Sequence, residues 1–166
     1  MANKIVNGKQ CTIIWHVDDL KISHVEKNVV EDIIRQLSKK FGKESPLITA
    51  RGKVLEYVVM TLDYMTKGRV KISMYDSIEK MLMELPSDMN GSVKTPAASH
   101  LFNLNKDATK LPKNAAQLFH HLVAKILYLS WRTRQDIQIA VAFLCTRVQS
   151  PDEDDYKKLT RVMQYL

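Results

Sequence analysis

The stretch Lys9-Gln10-Cys11-Thr12-Ile13-Ile14-Trp15-His16-Val17-Asp18-Asp19-Leu20-Lys21-Ile22-Ser23-His24 sets two runs of β-branched and aromatic residues on either side of paired aspartates. Runs of this composition, residues 11–17 and 20–23, read as strands, and the acidic pair between them reads as a tight turn. A β-hairpin with Asp18 and Asp19 at its tip is therefore expected. Working outward, residues 25–41 place apolar side chains at 29, 30, 33, 34, 37 and 41, the stripe of an amphipathic helix, with Gly42 as its cap. Residues 54–63 are rich in Val, Leu and Tyr. After a Lys67-Gly68 turn, Val70, Ile72 and Met74 alternate, so these two stretches predict a second hairpin. A short helix starting at Asp76 or Ser77 carries Ile78, Met81, Leu82 and Leu85 and ends at Pro86.

Residues 87–113 collect Pro, Asn, Ser, Gly and Lys with few apolar anchors and read as a long connection. From residue 114 onward the pattern is helical. Leu118, Leu122, Ile126 and Leu129 form one stripe, and Ile137, Ala140, Val141, Leu144 and Val148 form the next. Ser150-Pro151-Asp152 is a stop-and-start signal, with acids following at the positive end of a last helix. A β-rich half followed by an all-helical half is the α+β class. The expected organisation is residues 1–86, a linker over 87–113, and a helical region over 114–166.

Composition narrows the function classes. The chain has 166 residues, 45% hydrophobic and 26% charged, which is ordinary for a soluble globular protein and not for a disordered one. No apolar run approaches the roughly 20 residues of a membrane span, and the N-terminal residues contain no apolar signal core. Cys11 and Cys145 lie far apart and match no metal spacing, so a reducing, intracellular compartment, cytoplasmic or nuclear, is expected. Net charge is +7, and residues 1–75 hold 13 Lys/Arg against 8 Asp/Glu. A basic surplus suits a polyanionic partner such as nucleic acid. Lys39, Lys40 and Lys43, at the end of the first helix, are candidates for phosphate contacts, although cations there also complement the helix dipole. His120-His121 read as ordinary helix residues, and Cys11 as a small buried hydrophobe.

The aspartate pair is where the sequence offers chemistry. Adjacent carboxylates at a strand turn supply hard oxygen ligands for Mg²⁺, which takes carboxylates together with phosphate oxygens. Two such ions clamp the attacking and leaving oxygens of an in-line phosphoryl transfer. Solvated turn aspartates, favoured there for their own hydrogen bonding, are the alternative on pattern alone.

Five segments, in order, resemble the reverse transcriptase of copia-type LTR retrotransposons. They are His16-Val17-Asp18-Asp19, Tyr57-Val58-Val59-Met60, Leu122-Val123-Ala124-Lys125-Ile126-Leu127-Tyr128-Leu129, Thr133-Arg134-Gln135-Asp136-Ile137 and Arg161-Val162-Met163-Gln164-Tyr165-Leu166. The resemblance implies a partial palm over residues 1–86 and a thumb and connection over 114–166. It also implies RNA-directed DNA polymerase (nucleotidyltransferase) chemistry with Mg²⁺ and an RNA or DNA template–primer. Asp18 and Asp19 would be the catalytic metal ligands, and Tyr57-Val58-Val59-Met60 the strand that grips the primer. His16 stands where the family has Tyr, Val59 where it has Gly, and Gln135 where it has Pro. The family's third catalytic aspartate lies on an earlier strand, and none of the 17 residues before Asp18 is acidic. The chain is therefore expected to begin in mid-palm, to end before the RNase H domain and to be inactive alone, as a fragment or relic of the transposable element's polymerase. The alternative is a non-catalytic module derived from it that binds nucleic acid or protein. An exposed edge on the 11–17 hairpin would favour a homo-oligomer through the N-terminal half.

Overall fold

The computed structural model describes residues 1–43 and 45–166, an α+β fold with two three-stranded antiparallel sheets and five α-helices among them. The chain divides into two compact units, Met1–Ser73 and Met74–Leu166. The division falls after the sixth strand, whereas the sequence places it after residue 86.

The first unit opens with β1 (Ala2–Val6), β2 (Lys9–His16) and β3 (Asp19–Ser23), ordered β1-β2-β3. Asn7 and Gly8 join β1 to β2 with φ of 50° and 72°, the backbone of a type I′ turn, which Asn-Gly favours above other pairs. β2 is therefore paired along both edges, and the sheet's edges are β1 and β3. The 11–17 hairpin thus keeps one unpaired edge among the described residues, on β3, while β1 covers the outer edge of β2. Cys11 is buried near the start of β2, as a small hydrophobe should be.

Next comes α1 (Lys27–Phe41), with Val29 buried and Val30, Ile33, Ile34 and Leu37 half-buried along the expected stripe, while Phe41 is exposed. Gly42 caps it in a right-handed conformation, donating its N–H to the Ser38 carbonyl at 2.8 Å. A Cβ there would stand 2.5 Å from that same oxygen, so the close approach itself calls for glycine. The second sheet is β4 (Val54–Tyr57), β5 (Met60–Asp63) and β6 (Lys71–Ser73), in that order. Residues 54–63, read from sequence as one strand, fold back on themselves within the segment.

In the second unit, α2 (Tyr75–Met83) precedes a single 3₁₀ turn at Ser87–Met89. Then come α3 (Lys113–Arg132), a second 3₁₀ turn (Gln135–Ile137), α4 (Gln138–Cys145) and α5 (Glu153–Tyr165). Its core is Phe119, Leu122, Val123, Ile126 and Leu129 from α3, Ile137, Val141 and Leu144 around α4, and Leu159, Val162 and Met163 from α5. Burying each such side chain contributes about 1.5–3 kcal/mol.

Residues 87–113 belong to this unit and not to a free linker. Met89 and Leu101 are buried in it. The segment is also hydrogen-bonded along α5 and the turn before it. Val93 N–H donates to the Gln164 carbonyl, Leu111 N–H to the Pro151 carbonyl, and Glu153 N–H to the Thr109 carbonyl, at 3.0–3.2 Å.

α5 starts on a network that the acids at 152–155 build. Asp152 caps the helix by accepting from the Asp155 N–H at 3.0 Å, and Asp155 accepts from the Asp152 N–H at 3.1 Å. Arg147 Nε donates to both Asp155 oxygens at 3.0 and 3.1 Å, and the same guanidinium lies 3.4 Å from Asp152. Burial pushes the Asp152 carboxyl up, but the Asp155 amide, Lys110, the Asp155 side chain and Arg147 outweigh it and hold it below the usual carboxylate value. A depressed folded-state value contributes stability above the unfolded carboxylate's range, and that stability is lost as pH falls through the folded value. The melting temperature of the helical unit is therefore expected to be level from neutral pH to about pH 5 and to fall below about pH 4. Asp152→Asn should flatten that acid limb. A wild-type melting temperature that stays constant to strongly acidic pH would contradict the assignment.

Candidate functional site

The tip of the β2–β3 hairpin is a two-residue turn. His16 pairs with Asp19, so the turn is Val17-Asp18, and Asp19 is the first residue of β3. The sequence reading, with the turn at Asp18-Asp19, is shifted by one residue. Val17 carries φ of 50°, while Asp18 keeps an ordinary negative φ. Positive φ at the first central residue alone is the pattern of a type II′ turn, where glycine is the usual occupant. Val17 is also 85% exposed, so an apolar β-branched side chain stands in solvent on a backbone it disfavours. Strained backbone of this kind clusters at functional sites.

The pleat sorts the tip chemically. Trp15 pairs with Leu20 on one face, both roughly half exposed, and His16 pairs with Asp19 on the other. Asp18 and Asp19 are exposed and form no salt bridge among the described residues. Among those residues no cluster of three or more His, Cys, Asp or Glu side chains is arranged to hold a metal ion. The tip thus offers two adjacent carboxylates and, among the described residues, no third in a metal-holding cluster.

Tyr57-Val58-Val59-Met60 is not a continuous strand. Tyr57 ends β4 and pairs with Met60, which starts β5, and Val58 and Val59 are the turn between them. Their φ values of 51° and 64° make a type I′ turn built on two valines. Met60 and Leu62 are buried, and the Tyr57 hydroxyl is buried without a hydrogen-bond partner among the described residues. β3 approaches β4 within the unit, and Lys21 Nζ lies 5.7 Å from the centre of the Tyr64 ring.

Lys39 and Lys40 occupy the last turn of α1, and Lys43 follows the cap. All three are exposed and make no ion pair among the described residues; Lys40 Nζ lies 5.3 Å from the Phe41 ring centre. His120 and His121 are exposed on α3 with no carboxylate cluster beside them.

The two last motifs meet in the helical unit, a pairing the sequence does not announce. Arg134 Nε and a terminal nitrogen fork onto Asp136 at 2.9–3.3 Å, and the guanidinium lies 5.2 Å from the Tyr165 ring centre. The Asp136 hydrogen bond holds the Arg134 pKa above its usual value, and Arg134 in turn lowers that of Asp136. Thr133-Arg134-Gln135-Asp136-Ile137 and Arg161-Val162-Met163-Gln164-Tyr165-Leu166 are thus joined by a fork-and-ring contact that fixes the turn before α4 against the end of α5. No helix is long and apolar enough to cross a membrane among the described residues. No family model, no curated protein and no solved structure matches the chain.

Proposed function

We propose that the first unit is the catalytic-hairpin region of a reverse-transcriptase-like palm of the copia type. In this reading Asp18 and Asp19 are Mg²⁺ ligands, and an RNA or DNA template–primer is the substrate complex. The observation that supports it is the two-residue Val17-Asp18 turn, with Val17 left-handed, that carries two adjacent exposed carboxylates at a hairpin tip. The donor set fits the ion. Mg²⁺ is held by one or two carboxylates while its remaining positions go to water and phosphate oxygens. What a bound ion supplies is neutralisation of charge at the phosphate oxygens during nucleotidyl transfer. The chain's own part is to hold two carboxylates on a strand-paired tip. The Val58-Val59 turn at the end of the neighbouring strand pair would help position the primer.

Two carboxylates without a third make an incomplete set for a metal pair, and phosphoryl transfer depends almost entirely on positioning and charge stabilisation. The 166-residue chain by itself is therefore expected to give no primer extension with Mg²⁺ or Mn²⁺. Extension by the wild-type chain that Asp18→Asn abolishes would overturn this part of the reading. A non-catalytic role in binding nucleic acid is favoured by the exposed cations at Lys39, Lys40 and Lys43, which make no ion pair among the described residues. Binding of a template–primer duplex through them should weaken steeply as salt is raised.

A further inference from the structure

Helix α5 sets Asp154, Lys157, Arg161 and Gln164 in a row, because residues three or four apart stack on one helix face. Together with Pro96, Ala98, His100 and Leu101 they line a cleft of about 270 Å³ within the second unit. Its only carboxylate among these residues, Asp154, is already committed. Lys158 is almost fully buried, reaches Asp154 at 2.7 Å and donates to the Asn103 carbonyl at 2.6 Å. Lys157 and Arg161 therefore leave the cleft cationic, since neither makes an ion pair among the described residues.

Arg161 is the telling residue. One of its terminal nitrogens donates to the Thr95 hydroxyl at 2.9 Å, while its Nε is buried and has no hydrogen-bond partner among the described residues. A buried guanidinium N–H left unpaired is unfavourable, and in native proteins such a group marks a missing ion, water or ligand. A planar guanidinium beside a lysine is the arrangement that recognises phosphoryl oxygens, the arginine by two parallel bonds and the lysine as a point charge. The cleft is slightly smaller than the roughly 300–1,000 Å³ of drug-sized ligand pockets, which suits one phosphoryl group and not a bulky apolar ligand. The geometry points to this cleft as a binding site for a single phosphoryl group, held by Arg161 and Lys157. It uses none of the residues assigned to the aspartate hairpin and stands independently of that reading. The group can come from a free nucleotide or from the backbone of a nucleic acid.

The test is titration of the full chain with inorganic phosphate, a deoxynucleoside monophosphate and a single-stranded oligonucleotide. The Arg161 Nε resonance and the α5 amides are followed by NMR. Saturable shifts centred on Lys157 and Arg161 are expected. Arg161→Gln and Lys157→Gln should each weaken binding about tenfold, the equivalent of one charged hydrogen bond. Lys106→Gln, an exposed lysine outside the cleft, should leave binding unchanged. Lys157 is itself exposed, so its substitution keeps the test valid even if the Arg161 variant unfolds. Tighter oligonucleotide than mononucleotide binding at the same residues assigns the site to a nucleic-acid backbone, and equal affinities assign it to a free phosphate. Absence of saturable shifts with all three probes, or equal weakening in Lys106→Gln, would overturn the proposal.

Discussion

Replacing Val59 by glycine is expected to stabilise the first unit, and adding Val58→Asn is expected to stabilise it further. Both valines sit at positive φ, where an L-residue pays about 1–2 kcal/mol in steric strain. Glycine gives back roughly 0.5–1 kcal/mol of that through the entropy of the unfolded chain. The net gain for Val59→Gly is about 1 kcal/mol, which for a unit of this size corresponds to a rise of roughly 4–8 °C in melting temperature. The chain already holds the internal precedent, since Asn7-Gly8 makes the same type of turn without strain. The double variant copies that dipeptide onto β4–β5. Val59→Ala should gain little, because alanine keeps the Cβ that the left-handed backbone disfavours. An unchanged or lowered melting temperature in Val59→Gly would show that contacts of the valine side chain, and not its backbone, set the energy of this turn.

The largest loss is expected at Asp155. Its carboxylate is 1% exposed, accepts two bonds from Arg147 Nε and closes the capping box with Asp152. Removing one partner of a buried ion pair typically costs about 3–5 kcal/mol. Arg147 is only partly buried and keeps Asp152 at 3.4 Å, so the loss here lies at the low end of that range. Loss of the cap adds about 1 kcal/mol. Together these consume a large fraction of the roughly 5–15 kcal/mol by which a domain is stable, so Asp155→Ala should lower the melting temperature of the helical unit severely. Asp155→Asn keeps the cap geometry but not the charge and should lose less. Chemical denaturation of the three proteins checks the order. Equal stabilities for wild type and Asp155→Ala would contradict the network's role.

Element type was legible wherever the periodicity was strong. The hairpin around Val17-Asp18, the stripe of α1, and helices α3 and α4 follow from the spacing of apolar residues, and α5 from its Ser150-Pro151-Asp152 start signal. β1 was missed in the sequence; the signal that could have found it is Asn7-Gly8, a strong short hairpin pair, but its strand Ala2-Asn3-Lys4-Ile5-Val6 carries few β-branched residues. The β4–β5 turn could not be read from residue type. Val-Val is a strand signal, and the fold forces it against preference into a turn. The only hint was that the resembling family has a glycine where Val59 stands. Residues 87–113 look like a linker because they are held by backbone hydrogen bonds to the helical unit and by two buried side chains, Met89 and Leu101, that no periodicity marks. For the site, the sequence supplied the aspartate pair. The one-residue shift of the turn, the strain at Val17 and the Arg134–Asp136–Tyr165 contact required the backbone path.

The central claim is that Asp18 and Asp19 form a metal site at the hairpin tip, and paramagnetic broadening by Mn²⁺ in the presence of a template–primer duplex tests it most directly. The account predicts selective loss of the Val17, Asp18, Asp19 and Leu20 amide signals at low Mn²⁺, and recovery of those signals in Asp18→Asn/Asp19→Asn. Broadening centred elsewhere, or undiminished at the tip in the double variant, would contradict it.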